Sequence, residues 1–147
     1  MITAYIDGGS RGNPGPAGYG VQIVGDDGVV VAELYGSLPA ATNNVAEYNG
    51  LLAALAWAVD QGQPGLHIRS DSELLVKQLR GEYRVKNPGL QPLYQDARAL
   101  IGRIGRVTFE HVRRELNKEA DRLANLAMDE AAAAADKATA GQVPPSL

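Results

Sequence analysis

The stretch YIDGGSRGNPGPAGYG, residues 5–20, decides how the fold of this chain is interpreted. Apolar and polar side chains alternate in the residues just before it, which is typical of a β-strand, and Asp7 is expected to end that strand. Glycine and proline supply the backbone angles that turns need, so a turn explains most of the segment. A turn does not explain the aspartate, and Asp7 is therefore a candidate functional residue.

Outward from this stretch, the hydrophobic periodicity indicates a series of strands and helices. Two further strands flank GDDG at residues 25–28, a hairpin signal, so the first three strands are predicted to form an antiparallel meander. Apolar residues recurring every three to four positions then indicate helices, with two more strands between them. The predicted helices cover residues 45–59, 72–81, 90–104 and 117–135, and the predicted strands cover 2–7, 19–24, 29–36, 65–71 and 106–112.

This order of elements predicts an α/β fold with one five-stranded mixed sheet and helices on both faces. Strands 1–3 are predicted to be antiparallel, and strands 4–5 to join in parallel through right-handed crossovers. In such sheets, ligands bind at the carboxyl ends of the strands, which is where Asp7 and Asp71 both lie.

The composition is that of an ordinary globular domain. With 147 residues, 45% of them hydrophobic and 21% charged, the chain is long enough to bury a core as one domain, predicted over residues 1–138. Residues 139–147 are predicted to be a disordered tail or a linker. The N-terminus does not resemble a signal peptide, no apolar run reaches the ~20 residues of a membrane helix, and cysteine is absent, so a cytoplasmic location is expected.

Two further carboxylates lie at helix positions where a surface helix does not normally place them. Glu47 falls on a helical row with Leu51 and Ala54, close to the stripe that should face the sheet, and Asp121 lies one turn before Ala124 on the last helix. An unpaired buried carboxylate is costly, so each needs a cation or strong hydrogen-bond donors. A cap or a salt bridge explains any single acid more simply, but not four at the ends of separate elements.

A bound metal ion explains the four carboxylates better than basic side chains do. Arg113, Arg114 and Lys118 are the cations at comparable positions, and they are too few to neutralise four carboxylates and also serve a substrate. The ligands are all oxygen and both histidines lie inside predicted strands, so the expected ion is Mg²⁺, with Mn²⁺ as a substitute. Carboxylate clusters that hold two such ions ~4 Å apart catalyse in-line displacement at phosphorus.

Four segments resemble the signature segments of type 1 ribonuclease H, in the same order: YIDGGSRGNPGPAGYG, TNNVAEYNGLLAAL, IRSDSELLVKQLRG and VRRELNKEADRLANLA. The resemblance covers residues 1–128 and implies a ribonuclease H-like fold. It also implies that Asp7, Glu47, Asp71 and Asp121 are catalytic metal ligands and that two Mg²⁺ ions act with the substrate. The implied reaction is endonucleolytic hydrolysis of the RNA strand of an RNA/DNA hybrid, which leaves 5′-phosphate and 3′-hydroxyl ends.

The same resemblance implies a set of contacts to the hybrid. The net charge of −3 does not exclude a local basic groove, and small residues after Asp7 would let the backbone approach a nucleic-acid strand. Asparagine can hydrogen-bond a 2′-hydroxyl or a base edge without adding charge, which suits the recognition of RNA. Turn and cap chemistry is the simpler explanation for one of two adjacent asparagines. The implied nucleic-acid-binding residues are Gly8, Asn13, Thr42 (at a DNA-strand phosphate), Asn43 and Asn44.

The chain departs from the family before its last aspartate. Many relatives carry a histidine in this loop, whereas this chain has RRELNK there and resembles a short-loop subgroup. Arg114 is the catalytic candidate in place of the histidine, with an electrostatic role because arginine keeps its proton. Arg113 is the alternative and Glu115 stays open, while His111 lies inside a predicted strand, which favours a structural role.

A second departure is the absence of the basic, tryptophan-containing segment with which some relatives grip the hybrid. Here RGEYRVKNPG runs directly into the next helix, and Tyr83, Arg84 and Lys86 offer a smaller grip that would weaken at high salt. Trp57 is predicted to belong to the core. Glu73 stands where many relatives have glutamine, which removes a donor and adds negative charge near the substrate.

Other functions fit the sequence less well. The glycine-rich stretch is a poor phosphate loop, because Pro14 and Pro16 have no N–H, and ATPases of the sugar-kinase or actin type need two such domains. The alternative from another class is a catalytically silent hybrid-binding module, although pure binding would gain from replacing negative charges that face phosphate. A monomer is expected, with a second covalent domain if the chain is part of a longer protein.

Overall fold

The structure, a computed structural model, describes residues 1–141. Its elements follow the predicted order, with a 3₁₀ turn added before the last helix. The strands are β1 (Thr3–Ser10), β2 (Gly15–Val24), β3 (Val30–Ala41), β4 (Gly65–Ser70) and β5 (Arg106–His111). The helices are α1 (Asn43–Asp60), α2 (Glu73–Leu79), α3 (Gln91–Ile104) and α4 (Lys118–Gly141), and the 3₁₀ turn is Arg114–Leu116.

The strands form one mixed sheet in the order β3-β2-β1-β4-β5. β1 pairs antiparallel with β2 and β2 with β3, whereas β1 pairs parallel with β4 and β4 with β5. This arrangement confirms the predicted fold. The register places Ile6 beside Ser70, so Asp7 and Asp71 follow at the same edge of the sheet.

The glycines of β1 and β2 allow helices to approach both faces of the sheet. A Cβ atom at Gly8 would stand 2.4 Å from the carbonyl carbon of Ala46 in α1, and one at Gly20 would stand 2.4 Å from the carbonyl oxygen of Ala120 in α4. Any side chain at either position would push a helix off the sheet. Packing inside the protein therefore requires glycine at these two positions, and the access for nucleic acid that the sequence suggests stays a prediction.

Several elements are longer than the sequence pattern predicts. β1 does not end at Asp7 but continues to Ser10, β2 begins at Gly15 rather than Tyr19, and β3 continues to Ala41. The added residues of β1 and β2 pair with each other. Glycine has no side chain with which to show an alternating pattern, so the periodicity stops before the strands do.

The hydrophobic core lies between the sheet and α1, α2 and α3. It includes Ile6, Ile68, Leu51 and Leu55, all of which are fully buried, and Trp57 packs against this cluster as predicted. α1 is capped by Thr42, whose Oγ1 accepts a hydrogen bond from the Val45 N–H over 3.2 Å.

On the face that α4 approaches, β1, β4 and β5 carry a polar network. Arg69 donates to the Tyr5 hydroxyl over 2.6 Å and to Glu110 Oε1 over 2.9 Å. A ring nitrogen of His67 lies 2.8 Å from the same Glu110 oxygen. These charge-assisted contacts tie the three strands together at the partly exposed surface of the sheet.

The last helix extends to Gly141, so residues 139–141 of the predicted tail are helical, and residues 142–147 lie outside the described residues. Within residues 1–141, no helix is long and apolar enough to cross a membrane.

Candidate active site

Four carboxylates from separate elements meet at one end of the sheet. Asp7 lies in β1, Glu47 in α1, Asp71 directly after β4, and Asp121 near the start of α4. All four line one cavity of about 340 Å³. The remaining lining residues are Gly8, Gly9, Asn43, Arg114, Asn125 and Met128.

Asp7 is held at the contact between β1 and α1. The Gly8 N–H donates to Asp7 Oδ1 over 2.9 Å, and a Cβ at Gly8 would stand 2.5 Å from the Glu47 nitrogen, so the two acid-bearing segments touch. Burial, with the charges of Asp71 and Asp121, raises the pKa of Asp7 to about 8, although the Gly8 hydrogen bond opposes this shift. The protein's own groups therefore disfavour the charged form of Asp7 at neutral pH.

Glu47 is half-buried, in line with its predicted place beside the apolar stripe of α1. Burial raises the pKa of Glu47 to about 7; a hydrogen bond with Ser72 opposes this shift, and the charge of Asp71 adds to it. Ser72 also caps α2, since its Oγ accepts from the Leu75 N–H over 3.2 Å.

Asp71 is the carboxylate that lies nearest to positive charge. Burial raises its pKa, and the Arg114 guanidinium, whose Nε lies 3.9 Å from Asp71 Oδ2, acts in the opposite direction. His111 Nε2 lies 3.2 Å from the Asp71 carbonyl oxygen. His111 is the last residue of β5, where the sequence placed it, and Arg114 is 89% exposed at the mouth of the cavity.

Asp121 is exposed, so the expectation that it faces the buried side of α4 is wrong. The buried residues of this turn are Ala120, Leu123 and Ala124, and Asp121 lies at the margin of that face. Its side chain still lines the same cavity as Asp7, and its charge contributes to the raised pKa of Asp7. Asp121 reaches the cavity because it lies at the margin of the apolar face of α4. A residue at the centre of that face would be buried between α4 and the sheet.

Asn117 is a buried residue that the sequence interpretation missed. Its side-chain Nδ2 donates to the Ile6 backbone carbonyl over 2.9 Å. Its backbone carbonyl accepts from the Asp121 N–H over 3.1 Å. The residue therefore ties the start of α4 to β1 directly before Asp7. In sequence, an asparagine before a helix predicts an ordinary cap, and this signal does not distinguish a cap from an inward contact.

The implied nucleic-acid contacts divide into two groups. Asn43 and Gly8 line the cavity, whereas within the described residues Asn13, Thr42 and Asn44 are not part of its wall. Asn13 nevertheless touches the first group, because its Oδ1 accepts from the Asn43 N–H over 3.0 Å. Asn43 Oδ1 in turn accepts from the Ser10 N–H over 2.8 Å, so the two side-chain amides are fixed by the backbone.

Three residues of the cavity wall, Gly9, Asn125 and Met128, are not among the site residues that the sequence predicts. Gly9 of β1 lies close to Met128 of α4. A Cβ atom at Gly9 would stand 3.2 Å from the Met128 methyl carbon. Asn125 lies one helical turn after Asp121, and this spacing is the signal that could have identified it.

The chemistry of the cavity suits a hard divalent cation. Carboxylate oxygens are the preferred ligands of Mg²⁺ and Mn²⁺. Within residues 1–141, Asp7, Glu47 and Asp121 have no ion-pair partner, and no three His, Cys, Asp or Glu side chains are already arranged around a common metal position. A cation among these acids would offset both the burial and the neighbouring negative charges that raise the pKa of Asp7.

Comparison with known proteins connects this arrangement to one family. A family model described as reverse transcriptase-like matches residues 5–127. A bifunctional protein of Mycobacterium tuberculosis is 49% identical over 138 residues, covering 92% of this chain and 38% of the relative. The chain thus spans well under half the length of that relative.

Solved structures give the same result at the level of the fold. The N-terminal ribonuclease H domain of the mycobacterial protein has a TM-score of 0.88 at 48% identity, with 91% of this chain and 97% of that chain covered. Ribonuclease H1 of Halobacterium salinarum has a TM-score of 0.84 at 44% identity, with 88% and 98% covered. A ribonuclease H1 from compost, solved in complex with an RNA/DNA hybrid, has a TM-score of 0.85 at 40% identity, with 89% and 99% covered.

The family model spans the segments that carry all four acids, and all three solved relatives are covered almost completely by this chain. The chain belongs to the type 1 ribonuclease H family.

Proposed function

We propose that the protein is a metal-dependent endoribonuclease that hydrolyses the RNA strand of RNA/DNA hybrids and leaves 5′-phosphate and 3′-hydroxyl ends. The observation that carries this proposal is the convergence of four carboxylates from four elements on one cavity. The compost relative that was solved with an RNA/DNA hybrid supports the choice of substrate.

Asp7, Glu47, Asp71 and Asp121 are the residues that would hold two Mg²⁺ ions, with Mn²⁺ as a substitute. Bound ions of this kind activate water and stabilise the leaving oxygen during displacement at phosphorus. The raised pKa values of Asp7 and Glu47 support this role, because each carboxylate is buried, and faces the charge of Asp71, without a cation that neutralises it among the described residues.

Arg114 is proposed to hold the scissile phosphate. Its guanidinium lies at the mouth of the cavity beside Asp71, and its 89% exposure leaves its donors available to a ligand. An arginine can hold a phosphate through two parallel hydrogen bonds, and it keeps its charge as the phosphate becomes more negative in the transition state.

Asn13, Asn43 and Asn44 are proposed to contact the hybrid, together with Gly8 and with Thr42 at a DNA-strand phosphate. In Asn13 and Asn43 the amide oxygen already accepts from a backbone N–H, so the NH₂ group is the part left to donate. A fixed donor suits the acceptor atoms of a 2′-hydroxyl or a base edge in the minor groove.

The domain is proposed to act as a monomer in the cytoplasm. A second covalent domain is proposed to accompany it where the chain is part of a longer protein. The mycobacterial relative supports this second point, because the chain spans 38% of that protein.

Cleavage of labelled duplexes tests the proposed reaction. An RNA/DNA hybrid, an RNA duplex and a DNA duplex are incubated with Mg²⁺ and, in parallel, with Mn²⁺. We expect cutting of the RNA strand of the hybrid and an intact DNA duplex. Equal cutting of both would contradict the proposal, and a shift of the hybrid in a gel without cutting would favour the silent binding module.

A further inference from the structure

Asn125 faces the same cavity as the four carboxylates but carries no charge. It lies in α4 one turn after Asp121, is half-buried, and forms part of the cavity wall. Its Nδ2 donates to the Asp121 carbonyl oxygen over 2.9 Å. The side chain is therefore fixed to the backbone of a proposed metal ligand.

This hydrogen bond determines which end of the Asn125 amide is free. A backbone carbonyl can only accept, so the NH₂ group must be the end that points to Asp121. The amide oxygen is then left as an acceptor, and within residues 1–141 no N–H or O–H group donates to it.

A neutral amide oxygen on a residue that lines this cavity suits a divalent cation. Hard divalent cations take amide oxygens together with carboxylates, and a neutral ligand adds no repulsion to four acids. A phosphate oxygen is itself an acceptor and gains nothing from Asn125 Oδ1. We propose that Asn125 Oδ1 is a further oxygen donor to the divalent cation at this site, an inference that rests on the proposed function.

The chain offers a matched control for this role. On α1, Asn49 Nδ2 donates to the Val45 carbonyl over 2.8 Å, which is the same bond to the residue four positions earlier. Asn49 is half-buried as well, and within the described residues it is not part of the cavity wall. Replacing either asparagine by leucine keeps the approximate size of the side chain and removes the amide oxygen.

The experiment measures Mn²⁺ binding to the protein without nucleic acid, by electron paramagnetic resonance of the free ion. We expect Asn125→Leu to weaken Mn²⁺ binding about tenfold. Asn49→Leu should bind Mn²⁺ like the parent. Asn125→Asp keeps an oxygen and adds a charge, so it should bind Mn²⁺ more tightly than the parent, and it tests the site even if the leucine variant folds poorly.

The outcomes separate this inference from the proposed function. If the parent itself binds no Mn²⁺, the proposed metal site is wrong and the role of Asn125 falls with it. If the parent binds Mn²⁺ and Asn125→Leu binds it equally well, only the role of Asn125 is overturned. A raised KM for hybrid in that second case would assign Asn125 to a contact with the RNA ribose.

Discussion

Asp7 is a residue whose charge works against the stability of the protein that holds it. Its pKa is raised to about 8, above the ordinary value of 3.8, so the folded state binds its proton more tightly than the unfolded chain does. For such a group, stability is fully present below the unfolded pKa and is lost as the pH rises towards 8. In chelator, the stability advantage of Asp7→Asn over the parent should therefore begin above pH 3.8, be small near pH 5 and reach ~1 kcal/mol near pH 8.

Melting temperatures at the two pH values, in chelator, check this prediction. Glu47 also has a raised pKa. Its effect on the melting temperature cancels in the comparison, because the parent and Asp7→Asn both contain it. Asp7→Asn should also abolish hydrolysis with Mg²⁺. A variant that melts below the parent at both pH values would make Asp7 a structural aspartate.

Arg114 and its neighbour Arg113 allow a second comparison at the scale of single residues. Arg114 lines the cavity and lies 3.9 Å from Asp71, whereas within the described residues Arg113 is not part of the cavity wall. We expect Arg114→Ala to lower kcat about 100-fold with little change in KM, because its charge acts mainly in the transition state. Arg113→Ala should have a smaller effect on kcat, and a reversed order would transfer the role to Arg113.

The residues that the sequence identified are those with an unusual charge for their position. Asp7, Glu47 and Asp71 come together in the structure, and Asp121 joins them from an exposed rather than a buried place. Asn117 and Asn125 gave no such signal, because an uncharged amide on a helix has several ordinary explanations. The role of Asn117 follows only from its hydrogen bond to Ile6, and that of Asn125 only from its place in the cavity wall.

Among the elements, α1 and β1 approach each other so closely that one methyl group would separate them. Gly8→Ala would place Cβ 2.4 Å from the Ala46 backbone, so we expect a loss of ~2 kcal/mol in the free energy of unfolding. Hydrolysis should fall as well, because the displaced helix carries Glu47.

Gly102→Ala is the control for this change. Gly102 is an exposed residue of α3, and within residues 1–141 a Cβ at that position would meet no atom within 4 Å apart from its chain neighbours and the backbone of its own helix. Alanine there should stabilise the protein by ~0.5–1 kcal/mol, since glycine is unfavourable inside a helix. Urea denaturation measures both variants, and a Gly8→Ala protein as stable as the parent would refute the packing explanation.

The number, type and order of the elements were predictable because each strand and helix buries one face and so shows its own period. Their ends were less predictable. β1 and β2 continue through glycines whose contacts lie on helices α1 and α4, far along the chain. Hydrophobic periodicity is visible only where residues have side chains. At these positions the helices lie so close to the strands that only glycine fits.

At the scale of the whole molecule, Mg²⁺ should act as a stabilising ligand. A ligand that binds the folded state alone, at ten times its Kd, adds about 1.4 kcal/mol to the free energy of unfolding. We expect the parent to gain this stability on addition of Mg²⁺ and Asp7→Asn to gain less, because the variant lacks one ligand. Thermal melts of both proteins with chelator and with Mg²⁺ provide the measurement, and equal gains would remove Asp7 from the ligand set.

The overall topology followed from general rules more securely than the details of the site did. The helices between β3, β4 and β5 require crossovers, and right-handed crossovers leave few possible orders for the strands. The membership of residues 142–147 in a tail or linker, and of the chain in the short-loop subgroup, stays a prediction.

The central position of β1 has a consequence for the synthesis of the protein. This strand is synthesised before the other elements of the domain, yet its parallel partner β4 begins at Gly65, and α4, which packs against Gly20 of β2, begins at Lys118. Synthesis of the described residues takes on the order of ten seconds. Until β4 is made, β1 has one unpaired edge, and until α4 is made, one face of β1 and β2 is uncovered. The nascent domain therefore cannot complete its sheet and cover both faces until nearly all of the described chain has emerged.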